Sequence, residues 1–150
     1  MRKIAVTAAL AAALAAAPSF AAEKTSDMEV TLNVLNNCVL TAPPALDFGT
    51  VTDITTASAS GTAVVNCTLN TNYVLAIDMG DHPAAGSRRM ANATDTAFVP
   101  YYINIDGVAG NATGTGTGLD QNHALAGVLV PGGPVAAGSY ADLVVVSLTY

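Results

Sequence analysis

Beyond its first twenty residues the chain alternates apolar and polar positions in short runs, the period-two signature of half-buried strands. Met28, Val30, Leu32 and Val34 share one face of the first run, with Glu29, Thr31 and Asn33 on the other. Residues 62–69 (TAVVNCTL) and 73–79 (YVLAIDM) predict two further strands, separated by the turn signal Asn70-Thr71-Asn72. Residues 98–106 (FVPYYINID) predict another, in which Pro100 lacks a ladder donor and so suggests an edge or a bulge. A weaker run covers 123–130 (HALAGVLV) and stops at Pro131-Gly132-Gly133-Pro134. The strongest is the last, 140–150 (YADLVVVSLTY), and a short edge segment is expected over 46–51 (LDFGTV). Helix signals are nearly absent. Many short strands spaced by Gly, Pro, Asn and Asp predict an all-β sandwich in one domain. Residues 107–118 (GVAGNATGTGTG) read as a flexible loop between strands, because a dinucleotide cradle needs a following helix in an α/β setting.

The last run raises a topological question. Val144, Val146, Leu148 and Tyr150 share one face, and Leu143 and Val145 add apolar residues to the other. A strand apolar on both faces is expected in the centre of its layer, with a neighbour on each side. No sequence follows to supply one, whereas the alternating run at 28–34 stands spare at the other end. That run either pairs beside the last strand within one chain or does so between chains.

Composition sharpens this once the first residues are set aside. Met1-Arg2-Lys3 is followed by an apolar run to Ala17, then Pro18 and the small-residue site Ser19-Phe20-Ala21. This predicts a secretory signal peptide cut after Ala21, since the apolar run is shorter than the ~20 residues a membrane span needs. What remains carries only Lys24, Arg88 and Arg89 against 11 acids. So acidic a chain does not bind nucleic acid by neutralising phosphates, and suits anionic membrane surfaces poorly. Charged residues make up only 11%, so solubility rests on Thr, Asn, Ser and Gly.

Cys38 and Cys67, the only cysteines, both lie in the exported part, where an even pair reads as a disulfide. Closing a loop of that length contributes roughly 3.6 kcal/mol by loop entropy. Two cysteines without a nearby His make no metal site. His82, in GDHPAAG beside Asp81, and His123 are the only histidines and are expected at the surface or in turns. His123, Asp142 and Ser139 supply the residue types of a hydrolytic triad, but no nucleophile elbow accompanies them. Asp78, Asp81 and Asp106, near strand ends, read as solvated loop acids and not as paired glycosidase carboxylates. Arg88-Arg89 reads as a surface ion-pairing spot. No catalytic residue, metal, cofactor, small-molecule substrate or nucleic-acid partner is expected.

Taken in order, Cys38, LDFGTV at 46–51, GTAVVNCTLNTNYVLAIDMG at 61–80, RRM at 88–90, YYINID at 101–106 and GSYADLVVVSLTY at 138–150 cover nearly everything after Cys38. With the paired cysteines, the signal peptide and the Tyr end, this set resembles the spore coat protein U-like family, which includes subunits of archaic chaperone–usher pili. The resemblance implies an incomplete immunoglobulin-like β-sandwich that lacks its final strand and is completed by a donor strand. A periplasmic chaperone first lends that strand, and the N-terminal extension of the next subunit replaces it. Carried onto this chain, it implies a signal peptide at 1–21, a donor extension at 22–36 and a pilin domain at 37–150. Met28, Val30, Leu32 and Val34 become donor plugs. Val144, Val146 and Leu148 border the acceptor groove, and Tyr150 with its carboxylate becomes a chaperone contact. Cys38–Cys67 is the implied disulfide. The implied partners are identical or related pilin subunits, the chaperone and an outer-membrane usher, and the implied destination is a cell-surface fibre serving adhesion or biofilm formation.

The physics is compatible with that picture. Burying four plugs is worth roughly 6–12 kcal/mol gross, at ~1.5–3 kcal/mol each, opposed by ordering entropy. A subunit that both donates and accepts makes a heterologous contact that grows a filament. A single domain argues for a shaft subunit over a tip adhesin. Two other readings stay open: a secreted spore-coat or matrix protein of the same fold that completes its own sheet, and a small carbohydrate-binding module. The absence of Trp and 5% aromatic content leave the latter few stacking platforms.

Overall fold

The computed structural model describes residues 21–41, 45–130 and 132–150. The expected signal peptide lies outside them except for Ala21. Two units are distinguished, one reaching to Asn33 and the other spanning Val34–Tyr150. In the first, residues 21–33 form neither helix nor strand, and Met28, Val30 and Leu32 are 83%, 82% and 88% exposed. The predicted strand at 28–34 is therefore not one in this chain. Alternation alone makes no strand, because the backbone N–H and C=O groups need a ladder partner.

The second unit is all-β apart from one 3-10 turn, Ile54–Thr56, whose cap Asp53 accepts the Thr55 N–H at 2.9 Å. Its strands among the described residues are β1 (Cys38–Thr41), β2 (Ser58–Cys67), β3 (Asn72–Ile77), β4 (Arg88–Asn92) and β5 (Phe98–Ile105), followed by β6 (Val108–Ala109), β7 (Ala112–Thr115), β8 (Asp120–Leu129), β9 (Tyr140–Ala141) and β10 (Val146–Thr149). All pairings are antiparallel. One sheet runs β1-β2-β8-β5-β4-β9, with β6 also on β5; the other runs β10-β3-β7. The alternating positions Ala63, Val65 and Cys67 of β2, Tyr73, Leu75 and Ile77 of β3, Tyr101, Ile103 and Ile105 of β5 and Leu125 and Leu129 of β8 meet in one core between the sheets. Cys38 stands directly opposite Cys67 in the β1–β2 register, and the two are joined by a disulfide.

Four further expectations are corrected. Pro100 marks neither an edge nor a bulge, since β5 lies between β8 and β4 and pairs with β4 in unbroken register. Residues 46–51 form no strand; instead Leu46 and Phe48 pack on the core from an irregular segment. The glycine-rich stretch 107–118 is not simply a loop, since it contains β6 and β7, and β7 forms one edge of the smaller sheet. Its Gly and Thr residues give too weak an apolar alternation to announce a strand. The last run is not one strand but two: β9 pairs with β4 in the larger sheet, and β10 pairs with β3 in the smaller. The chain crosses between sheets over 142–145, so β10 lies at a sheet edge and not at its centre.

Candidate strand-acceptor groove

The crossover determines how β10 is presented. Asp78 N–H donates to the Val145 carbonyl at 3.0 Å, and Val145 N–H donates back to Asp78 Oδ1 at 2.9 Å. Backbone direction alternates along a strand, so Ser147 and Thr149 also face β3. Val144, Val146 and Leu148 then point their N–H and C=O groups away from β3, where no described strand pairs with β10. The side chains of the same three residues pack inward against the core. An inward apolar row and an outward unpaired backbone row therefore coincide on one edge.

Alongside lies an open groove of about 580 Å³. It is lined by residues 45–48, by residues 140–144 with Val146, and by core residues that include Ile77, Tyr101, Ile103 and Leu125. Phe48 reaches this position because position 127 is glycine: a Cβ there would lie 2.8 Å from the Phe48 ring. The ring meets Tyr101 edge-on at 6.4 Å between centroids. Of the three residues expected to border the groove, Val144 and Val146 line it. Leu148 continues the inward row onto the core. Tyr150, expected as a chaperone contact, is 56% exposed and borders a separate hollow of about 460 Å³ with Asn72, Val74, Thr113 and Thr149. Val34 is 65% exposed. Near the disulfide, the Thr68 N–H donates to the Asn37 carbonyl and the Asn37 N–H to Thr68 Oγ1, fastening the chain just before β1.

Several polar residues assigned to the surface are internal. His123 is buried at 8% exposure, with Nε2 2.9 Å from the Tyr73 hydroxyl and Nδ1 2.6 Å from Asp106 Oδ2. It ties β8 of one sheet to β3 of the other. Burial pushes the Asp106 carboxyl up, but its hydrogen bonds from His123 and the Ala124 N–H, with the His123 charge, outweigh this and hold it below 3.8. Burial, then the Asp106 charge, raises the Tyr73 hydroxyl. Arg88 is no surface ion pair: it donates to the Ile77 and Asp78 carbonyls. Arg89 donates to the His82 carbonyl at 3.0 Å and lies over the Phe98 ring at 4.1 Å. The Asp142 side chain, only 2% exposed, accepts the Tyr101 hydroxyl at 2.6 Å and the Asp81 N–H at 3.0 Å. Burial first, then the bond to Asp142, pushes the Tyr101 hydroxyl well above its usual range. The signal for Asp142 was present in the sequence: an acid inside an otherwise apolar run, YADLVVV, needs internal partners.

Among the described residues no group of three or more His, Cys, Asp or Glu is arranged to hold a metal ion, and no helix is long and apolar enough to cross a membrane.

Two packed antiparallel sheets, with an apolar groove beside an unpaired edge strand, define an immunoglobulin-like β-sandwich. The chain belongs to the Spore Coat Protein U domain family, whose model matches residues 24–147. It is 34% identical to Protein U of Myxococcus xanthus over 175 aligned positions, covering 99% of this chain and 98% of that protein. In fold it is similar to a chain in the crystal structure of the CsuC–CsuE chaperone–tip adhesion subunit pre-assembly complex, from the archaic chaperone–usher Csu pili of Acinetobacter baumannii. That match has a TM-score of 0.59 and 24% identity, and covers 78% of this chain and 40% of the other.

Proposed function

We propose that the protein is an exported structural subunit of a surface fibre, an archaic chaperone–usher pilus, that polymerises by donor-strand complementation. The observation that carries this reading is the edge of β10. There Val144, Val146 and Leu148 combine inward apolar side chains with outward unpaired backbone groups beside an open groove. An incoming strand meets both needs, by ladder pairing and by apolar burial. Residues 22–36 are the donor extension, with Met28, Val30, Leu32 and Val34 as plugs, and 37–150 the pilin domain. The exposure of those plugs in the single chain supports the assignment. Before assembly a periplasmic chaperone supplies the strand, with Tyr150 as one of its contacts, and an outer-membrane usher exchanges it for the next subunit's extension. The role is structural, in a shaft that supports adhesion or biofilm formation.

The test compares the mature chain with a version lacking residues 22–36, by light scattering and unfolding. The full chain is expected to grow in mass with concentration, and a synthetic peptide of residues 22–36 is expected to stabilise the shortened one. A full chain that stays a stable monomer, with a peptide that does nothing, sinks the filament reading. That outcome favours the second reading, a secreted coat protein that completes its own sheet. The match of residues 24–147 to a domain family described as Spore Coat Protein U supports this alternative.

A further inference from the structure

The root of the N-terminal extension is fastened at one end of the sandwich. The Thr68 N–H donates to the Asn37 carbonyl at 2.9 Å, and the Asn37 N–H donates to Thr68 Oγ1 at 3.2 Å. The Thr68 hydroxyl also lies 3.4 Å from the Leu35 carbonyl. The next residue, Cys38, is tied to Cys67. Thr68 follows the end of β2 and precedes the start of β3 at Asn72. The register of β10 on β3 sets Thr149 opposite Val74 and Val146 opposite Ile77. The root therefore lies at the end where β10 finishes, and the crossover that precedes β10 lies at the opposite end.

This placement limits how the extension could approach the free edge of its own β10. Followed back from Leu35, residues 34 to 28 would travel from the Thr149 end toward the crossover, which makes them parallel to β10. Every described strand pair of the domain is antiparallel, and parallel pairing is slightly weaker per residue. The root also leads into the larger sheet through β1, whereas the free edge belongs to the smaller. Packed sheets lie about 10 Å apart, so crossing between them takes about three residues at ~3.3 Å each. Counted back from Leu35, the crossing uses residues 32–34, and with them Leu32 and Val34. An antiparallel approach loses more. The chain would first descend the free row from Leu148 to Val144, about five residues, and then turn in about two to four more. The returning limb is then residues 22–26 (AEKTS), which holds no plug.

We infer that the fastened root reserves the full seat for a second copy of this chain: Met28, Val30, Leu32 and Val34 can all enter a neighbour's groove, whereas their own groove takes Met28 and Val30 at most. A neighbour's extension arrives from outside and is free to lie antiparallel to β10. The fastening thereby works against the tether. A flexible segment joined to its own site ordinarily reaches an effective concentration on the order of mM there, enough to outcompete a dilute neighbour. The inference rests on the donor-strand reading, and it counts against a coat protein that completes its own sheet with the same segment.

The test is equilibrium binding of a labelled peptide of residues 22–36, at chain concentrations too low for assembly. The full mature chain is compared with a chain lacking residues 22–36, and with a chain in which those residues are moved to follow Tyr150 through a short Gly-Asn turn. In the moved form the segment makes a hairpin with β10 and enters antiparallel with all four plugs. The peptide is expected to bind the full chain within about tenfold of its affinity for the shortened one, and the moved form to exclude it by about a hundredfold or more. A loss greater than tenfold in the full chain shows that its own extension fills its groove, and overturns the inference while the match of segment to groove stands. A moved form that binds the peptide as well as the shortened chain does also overturns it, because strand direction then does not govern entry. A peptide that binds none of these chains sinks the donor-strand reading itself, and the inference with it.

Discussion

Replacing Leu32 by alanine separates a residue that acts on a neighbour from one that supports its own domain. Leu32 is 88% exposed in the single chain. Its truncation should therefore change the chain's own unfolding free energy by no more than about 0.5 kcal/mol, as for an ordinary surface site. In an occupied groove the same change removes three buried carbons. At ~0.8 kcal/mol per methylene, and allowing for the fraction exposed beforehand, this costs about 2 kcal/mol, or about 30-fold in dissociation constant. The assay pairs urea unfolding of the Leu32→Ala chain in dilute solution with a competition measurement. In the latter, wild-type and Leu32→Ala peptides of residues 22–36 compete for a chain lacking its own extension. The expected result is an unchanged unfolding midpoint and a large loss of peptide affinity. The reasoning is refuted if the midpoint falls by the ~2–5 kcal/mol typical of a core cavity while peptide affinity holds, because Leu32 then belongs to its own sheet.

Three further outcomes follow from particular contacts. Replacing Cys38 and Cys67 together by serine should lower stability by about 3–4 kcal/mol in urea titrations, with the loss matched by reduction of the wild type. Gly127→Ala sets a Cβ 2.8 Å from the Phe48 ring; it should displace that ring from Tyr101 and cost about 1–3 kcal/mol, visible as a lower urea midpoint and a changed near-ultraviolet aromatic signal. Asp106 is held below 3.8, so the folded state keeps its charge more strongly than the unfolded chain does, and the resulting stability is present above that value and lost as pH falls through the lower folded one. With its side chain 45% exposed, Asp106→Asn should cost about 0.5–1 kcal/mol near pH 6, and the cost should shrink as pH falls through the lowered folded-state value. A cost independent of pH would show that the carboxylate charge plays no part.

Period-two alternation made β2, β3, β5 and β8 legible within a few residues, because each buries alternate residues on the shared core and leaves those between more exposed. The same rule misjudged the ends of the unit. β7 was invisible because ATGT pairs with β3 while offering the core only Ala112. The run 140–150 read as one strand because its apolar pattern continues through the crossover. Only Asp142, Asp78 and their backbone partners reveal the break. His123 and Asp106 lie 17 residues apart in the chain, and Tyr73 lies 50 from His123. No local pattern could announce that the three form one internal tie.

By itself, then, the sequence determined the class of fold, the paired cysteines and the apolar rows available for burial. These are local or compositional properties: side-chain alternation, turn residues and an even number of thiols. The tertiary structure decided which row lies at an edge, where the last run changes sheets, and which acids and histidines are enclosed. Those outcomes depend on which strands become neighbours. Hydrogen-bond saturation and burial belong to pairs of segments, so β10 became an open edge only once every other strand had found its partner.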